Sequence, residues 1–254
     1  MENIGWKRFG VLICAEDSEY VKNIYGGFFG LFTKMLEEEK ETWDMYKVSC
    51  GEFPKDDELN LYDGFVITGS CCDAYGNDKW ICDLINLIKK LDSMNTKILG
   101  ICFGHQVLCR ALGGKVGPSP TGWDIGVRSI TLSSHICPSS LDLPTKLSII
   151  QCHKDEVLEL PTEAEIIAKS DKTAIEMFKY GDHIMGIQGH PEYSKDLLLH
   201  LIDRLTQRNF IMEDFAVGAR ERAVMLEPDT NAWKRLCISF LKRNPKFVQS
   251  KSTC

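Results

Sequence analysis

The 254-residue sequence predicts an α/β fold: a mostly parallel open sheet with helices on both faces, and a second half rich in strands. Three observations carry that expectation. As far as Leu112, short runs of Val, Leu and Ile alternate with helix-length segments whose apolar residues recur every three or four positions. Glycines punctuate the junctions. Beyond Val127 the apolar runs shorten and are interrupted by Gly, Pro, Ser and Asp.

Arg8–Cys14 reads as a strand, Tyr20–Glu39 as one helix closing in charged residues, and Trp43–Cys50 as a second strand. Asp63–Thr68 is a third strand, ending at Gly69, and Asp78–Leu91 has helical spacing. Lys97–Ile101 is a strand and Phe103–Leu112 a helix stopped by Gly113-Gly114, since glycine accepts the left-handed C-cap. Val127–Leu132, Leu147–Cys152 and Ala174–Phe178 are shorter strands, some of them expected to pair antiparallel. Ser194 starts a helix to about Asn209, and helical stretches near Glu213–Leu226 and Trp233–Lys242 follow. Residues 1–210 are expected to form the main domain and 211–254 a helical extension with a loose tail. Amphipathic helices in that extension are expected to cover the sheet rather than act as a lid or a dimer face.

Composition removes several classes of function. Thirty Lys+Arg against 36 Asp+Glu give a net charge of −6, with no basic cluster dense enough to neutralise a run of phosphates. No nucleic-acid partner is expected. No apolar stretch reaches the ~18–20 residues of a membrane span, and Met1–Tyr20 lacks the order of a signal peptide. No membrane partner is expected, and the location expected is the cytosol. Eleven cysteines at irregular spacing, including adjacent Cys71 and Cys72 and no C-x-x-C, argue against a zinc site and a disulfide framework. Cys71 and Cys72 read as structural thiols.

Gly100-Ile101-Cys102-Phe103-Gly104 lies between a strand and a helix and has the G-x-C-x-G form of a nucleophile elbow. The two glycines permit the tight turn, because a side chain at either would collide with the neighbouring strand or helix. At a helix N-terminus the unpaired N–H groups and the helix dipole favour a Cys102 thiolate over the thiol. The backbone N–H of Phe103 can then face the oxygen of a carbonyl under attack, as half of an oxyanion hole. A thiolate needs a base, and the base needs an orienting group. Gly186-Ile187-Gln188-Gly189-His190-Pro191-Glu192 supplies both, because an extended backbone puts residues two apart on the same side. Cys102, His190 and Glu192 are the candidate catalytic set.

With these two motifs the chain resembles the class I glutamine amidotransferases, whose glutaminase domains carry G-x-C-x-G-x-Q and, later, G-x-Q-x-H-P-E. Both motifs are complete and in order, and the resemblance spans roughly Phe9–Arg208. It implies a flavodoxin-like amidotransferase fold over residues 1–210, with Cys102 as nucleophile, His190 as general base and acid, and Glu192 as its orienting carboxylate. It implies that Gln106 holds the amino-acid end of a glutamyl substrate. Gln151-Cys152-His153-Lys154-Asp155 looks like the family's S-H-x-D loop, which makes Cys152, His153 and Asp155 candidates for the same end. The second oxyanion donor is implied at the backbone N–H of Ser70. There many relatives have Gly-Gly-Pro and this chain has Gly69-Ser70-Cys71-Cys72-Asp73.

An amidotransferase passes ammonia to a synthetase, but this sequence holds no P-loop and no G-x-G-x-x-G. The pattern is similar to the stand-alone plant cytosolic γ-glutamyl peptidases, which implies release of glutamate from glutathione or its S-conjugates during thio-metabolite biosynthesis. That resemblance implies a small-molecule γ-glutamyl substrate, no cofactor, no metal and no obligate synthetase. One rival is a glutaminase subunit feeding a separate synthetase; another is a non-catalytic scaffold, against which the intact Cys102, His190 and Glu192 set speaks. An α/β-hydrolase has its acid before its histidine, whereas here Glu192 follows His190.

Overall fold

Four strands from the first half of the chain, joined by one from the second, build the parallel part of the sheet. The computed structural model describes residues 6–133, 141 and 143–242; the tail read as loose lies outside them. Strands β1 (Lys7–Leu12), β2 (Glu41–Tyr46), β3 (Gly64–Ile67), β4 (Lys97–Ile101) and β11 (Ile184–Ile187) run parallel in the order β2-β1-β3-β4-β11. β3, β4 and β11 are short and apolar, as strands covered on both faces must be. The sheet then continues antiparallel through β10 (Met177–Tyr180), β9 (Ala164–Lys169), β6 (Asp124–Leu132) and β7 (Lys146–His153). β5 (Lys115–Pro118) and β8 (Asp155–Glu159) form a separate antiparallel pair.

Alternation along the strands sends side chains to two layers. Phe9, Val11, Val66, Leu99 and Ile101 meet Phe32 and Leu36 of α2 (Gly27–Leu36) and Trp233, Leu236 and Phe240 of α7 (Thr230–Lys242). Leu12, Phe65, Ile67 and Ile98 meet Ile81, Leu84 and Ile88 of α3 (Lys79–Ser93) and Val107 and Leu108 of α4 (Phe103–Ala111). Over the antiparallel part, Ile125, Val127 and Ile150 lie under α5 (Lys195–Gln207) and under α6 (Glu213–Met225), which packs through Ala216, Ala219 and Ala223. The helices of the C-terminal segment thus cover the sheet.

Several elements differ from their sequence readings, each for a local reason. The single helix expected over Tyr20–Glu39 is two, α1 (Glu19–Tyr25) and α2, because Gly26 and Gly27 both take positive φ, +74° and +81°. The strand expected to Cys50 stops at Tyr46, and Val48–Cys50 is a 3₁₀ turn closed by Gly51 at φ +85°. The strand expected from Ala174 begins at Met177, since Ser170 Oγ captures the N–H groups of Lys172 and Thr173 and holds the preceding residues in a turn. β5, β8 and β9 carry no long apolar run and were not anticipated from the sequence. Ser194 caps α5 as expected, accepting the Leu197 N–H at 3.2 Å.

Candidate active site

The loops at the C-terminal ends of β3, β4 and β11, three adjacent parallel strands, converge, and they carry Gly69–Asp73, Cys102 and Gln188–Glu192 respectively. Cys102 is the N-cap of α4 with φ +53° and ψ −104°, a conformation that lifts its side chain off the sheet axis. Its N–H donates to the Ile187 carbonyl at 2.8 Å, tying the turn to β11. A Cβ on Gly104 would lie 2.3 Å from the Ile67 carbonyl oxygen, and one on Gly100 would lie 2.5 Å from that of Gly104. Both glycines of the elbow are therefore required by contact distance, as the motif implies. Cys102 is 6% exposed, and Phe103 opens α4, where the first N–H groups have no intrahelical acceptor.

His190 is 3% exposed, and its Nδ1 stands 2.8 Å from Glu192 Oε1. Its ring stacks on Tyr193 with centroids 3.9 Å apart and planes 7° apart, and it shares with Cys102 the space beside Gly69. The structure thus brings Cys102, His190 and Glu192 together as the motifs predict. Burial pulls the imidazole down, but the charges of Glu192 and Cys102 outweigh it and push the ring up to about 10. His105, one residue after the second elbow glycine, is held neutral by burial, down to about 3, and its ring packs 5.0 Å from that of Phe178. It lies outside the catalytic set.

The loop after β3 lies against both groups, for a Cβ on Gly69 would be 3.0 Å from His190 Cε1 and 3.7 Å from Cys102 Cβ. Ser70 follows it directly, and its Oγ accepts the Cys72 N–H at 3.1 Å. Arg110 pins the far end of this loop through the carbonyls of Ala74 at 2.8 Å and Gly76 at 2.5 Å. Gln106 is buried and donates its Nε2 to the Asp155 carbonyl at 2.8 Å and to Gln188 Oε1 at 3.1 Å. His153, also buried, has Nδ1 at 3.1 Å from the same Asp155 carbonyl, and burial holds the ring neutral, down to about 4. Cys152 is half-buried, and burial followed by the Cys102 sulfur pushes its thiol up to about 12. Burial and then Asp73 push the half-buried Asp155 carboxyl up to about 6.

The Cys152-His153 segment reaches the site because the chain after β11 crosses to β7, where Ile150 and His190 form an antiparallel bridge with His190 N–H on Ile150 O at 2.7 Å. Sequence reasoning missed Tyr193, Asp73 and Gln188 as site residues. Gln188 stood inside the second motif without a role, and Tyr193 beside it; nothing in the sequence marked Asp73 as facing Asp155. Among the described residues no group of three or more His, Cys, Asp or Glu could hold a metal ion. No helix among them is long and apolar enough to cross a membrane.

The chain belongs to the class I glutamine amidotransferase family: the family model described as Glutamine amidotransferase class-I matches residues 21–201. The fold agrees, for a solved glutamine amidotransferase from Thermotoga maritima superposes with a TM-score of 0.70 at 21% identity, over 93% of this chain and 99% of that one. Within the family the chain is 48% identical to Gamma-glutamyl peptidase 5 of Arabidopsis thaliana, over 95% of this chain and 98% of that protein. It is 46% identical to Gamma-glutamyl peptidase 2 of the same plant, over 93% and 96%.

Proposed function

We propose that the protein is a γ-glutamyl peptidase, a cysteine hydrolase that releases glutamate from γ-glutamyl peptides such as glutathione and its S-conjugates. The observation that carries this is the enclosed Cys102–His190–Glu192 set in a chain nearly half identical, over almost its whole length, to proteins named γ-glutamyl peptidases. In this reading the Cys102 sulfur attacks the γ-carbonyl, and the backbone N–H groups of Phe103 and Ser70 receive the oxyanion. His190 gives its proton to the departing amine as the C–N bond breaks, leaving a γ-glutamyl thioester on Cys102. His190 then takes a proton from water, which attacks the thioester and frees glutamate. Glu192 holds the ring throughout and stabilises its charged form.

Glutamine and a γ-glutamyl peptide differ only beyond the scissile bond, so selectivity falls to the leaving-group side. There Cys71, Cys72 and Asp73 present exposed side chains. In the same reading Gln106, Cys152, His153 and Asp155 serve the amino-acid end, with Gln106 fixing the Asp155 carbonyl that His153 also meets. The substrate is a small molecule, and the protein acts without a synthetase. A cytosolic setting fits the nine free cysteines among the described residues.

The test is to incubate the purified chain alone with glutamine and, separately, with a glutathione S-conjugate, following free glutamate. Release from the conjugate, abolished in Cys102→Ala, is expected. Release from glutamine only, raised by an added synthetase, would instead favour the ammonia-supplying subunit, and release from neither would overturn the assignment.

A further inference from the structure

Behind the site lies a set of enclosed polar side chains that none of these steps uses. Gln151, Glu176 and Gln188 are each fully buried. Gln151 Nε2 donates to Glu176 Oε2 at 2.8 Å, and the Gln188 N–H donates to the Glu176 carbonyl at 2.8 Å. Gln188 Oε1 accepts from Gln106 Nε2, which also reaches the Asp155 carbonyl. The series joins the three segments that carry the site: the strand end leading to Cys152 and His153, the turn leading to His190, and the first turn of the helix after Cys102. Each node keeps one polar atom without a protein partner, namely Gln151 Oε1, Glu176 Oε1 and Gln188 Nε2. Interior amides and acids are retained at such a cost in desolvation only where they hold something in place.

We infer that Glu176 is a positioning residue for the reaction proposed above, its carboxyl gripping the β7 end through Gln151 while its main chain grips the His190 turn through Gln188. Burial pushes Glu176 up to about 7 against the opposing effect of the Gln151 bond, and Asp124 of β6 and Glu156 of β8 add to the rise. Asp124 is already paired with Arg128 at 2.9 Å and Lys172 at 3.7 Å, and His153 beside it stays neutral. The bond from Gln151 is made to an acceptor oxygen that the carboxyl offers in either protonation state, so the grip rests on that contact.

The experiment compares E176Q, E176L and Q151M with the wild type. In E176Q the amide oxygen still accepts from Gln151 but cannot ionise. E176Q keeps an acceptor for Gln151 and is expected to hold the wild-type kcat within about twofold. E176L and Q151M are expected to lose about tenfold or more in kcat at pH 6, with far less change in KM. The same loss, present in E176L and Q151M and absent in E176Q, is expected in the rate at which iodoacetamide alkylates Cys102. That measurement needs no substrate, so it separates failure of this inference from failure of the substrate assignment. An E176Q variant that loses as much kcat as E176L, or a Q151M variant with wild-type kcat, would overturn the inference.

Discussion

Cys102 holds φ at +53°, which costs a residue bearing a β-carbon about 1–3 kcal/mol, and the cost is tolerated because the bond to Ile187 O and the glycine contacts leave the turn no alternative. The strained turn, the enclosure and the neighbouring imidazole set this sulfur apart from the other buried thiols. Burial pushes Cys14, Cys109 and Cys237 up, the direction expected of thiols with no cationic partner. His190 titrates in the opposite sense to an ordinary enclosed imidazole. Its value is raised above 6.5 to about 10, so its charged-state contribution to stability is complete below pH 6.5 and is lost as pH rises through about 10. Glu192→Gln keeps the hydrogen bond in outline but removes the carboxylate that raises the ring. That variant is expected to lose about 10²–10⁴-fold in kcat, and the alkaline limb of Cys102 alkylation is expected to move below pH 10. An unmoved limb would mean that Glu192 does not hold the proton on His190. Cys102, His190 and Glu192 were legible as residues because their motifs put them at fixed spacings. Asp73 and Glu176 were not, since their role comes from partners on other strands.

The helix α4 shows how an element positions a residue. It can start directly at Cys102 only because Gly104 lets its first turn approach β3, and an alanine there meets the Ile67 carbonyl at 2.3 Å. Gly104→Ala is expected to destabilise the protein by at least about 2 kcal/mol, since backbone rather than a flexible side chain must move. A denaturation midpoint unchanged from the wild type would show that the helix has room to shift. The β4–α4 boundary was readable to the residue because apolar run, glycine and helical period change together there. The Gly26-Gly27 break was not, because either glycine alone is compatible with a continuing helix and only their shared positive φ ends it. The short strands β5, β8 and β9 escaped for a related reason: half-exposed strands of four to six residues offer too few periods to stand out from loops.

Across the whole molecule, the C-terminal helix α7 locks the far edge of the sheet to its parallel core. Trp233 is fully buried in the same cluster as Phe9 and Leu99, and its indole N–H donates to the Ser148 carbonyl at 3.0 Å. Asp229, just before α7, exchanges a pair of bonds with Ser148, at 2.7 and 2.9 Å. Trp233→Ala is expected to cost about 3–5 kcal/mol in chemical denaturation while leaving KM for the γ-glutamyl substrate unchanged below the transition. A shifted KM would place α7 in the site rather than behind it. By itself the sequence determined the strand–helix alternation and the candidate set Cys102, His190 and Glu192, because periodicity and motif spacing are properties of neighbouring residues. The tertiary structure alone decided that β11 returns beside β4, that β7 bridges to His190 through Ile150, and that Gln151, Glu176 and Gln188 meet in the interior. Strand pairing and the satisfaction of buried polar groups are settled by contacts between residues far apart in the chain, and such contacts leave no local pattern to read.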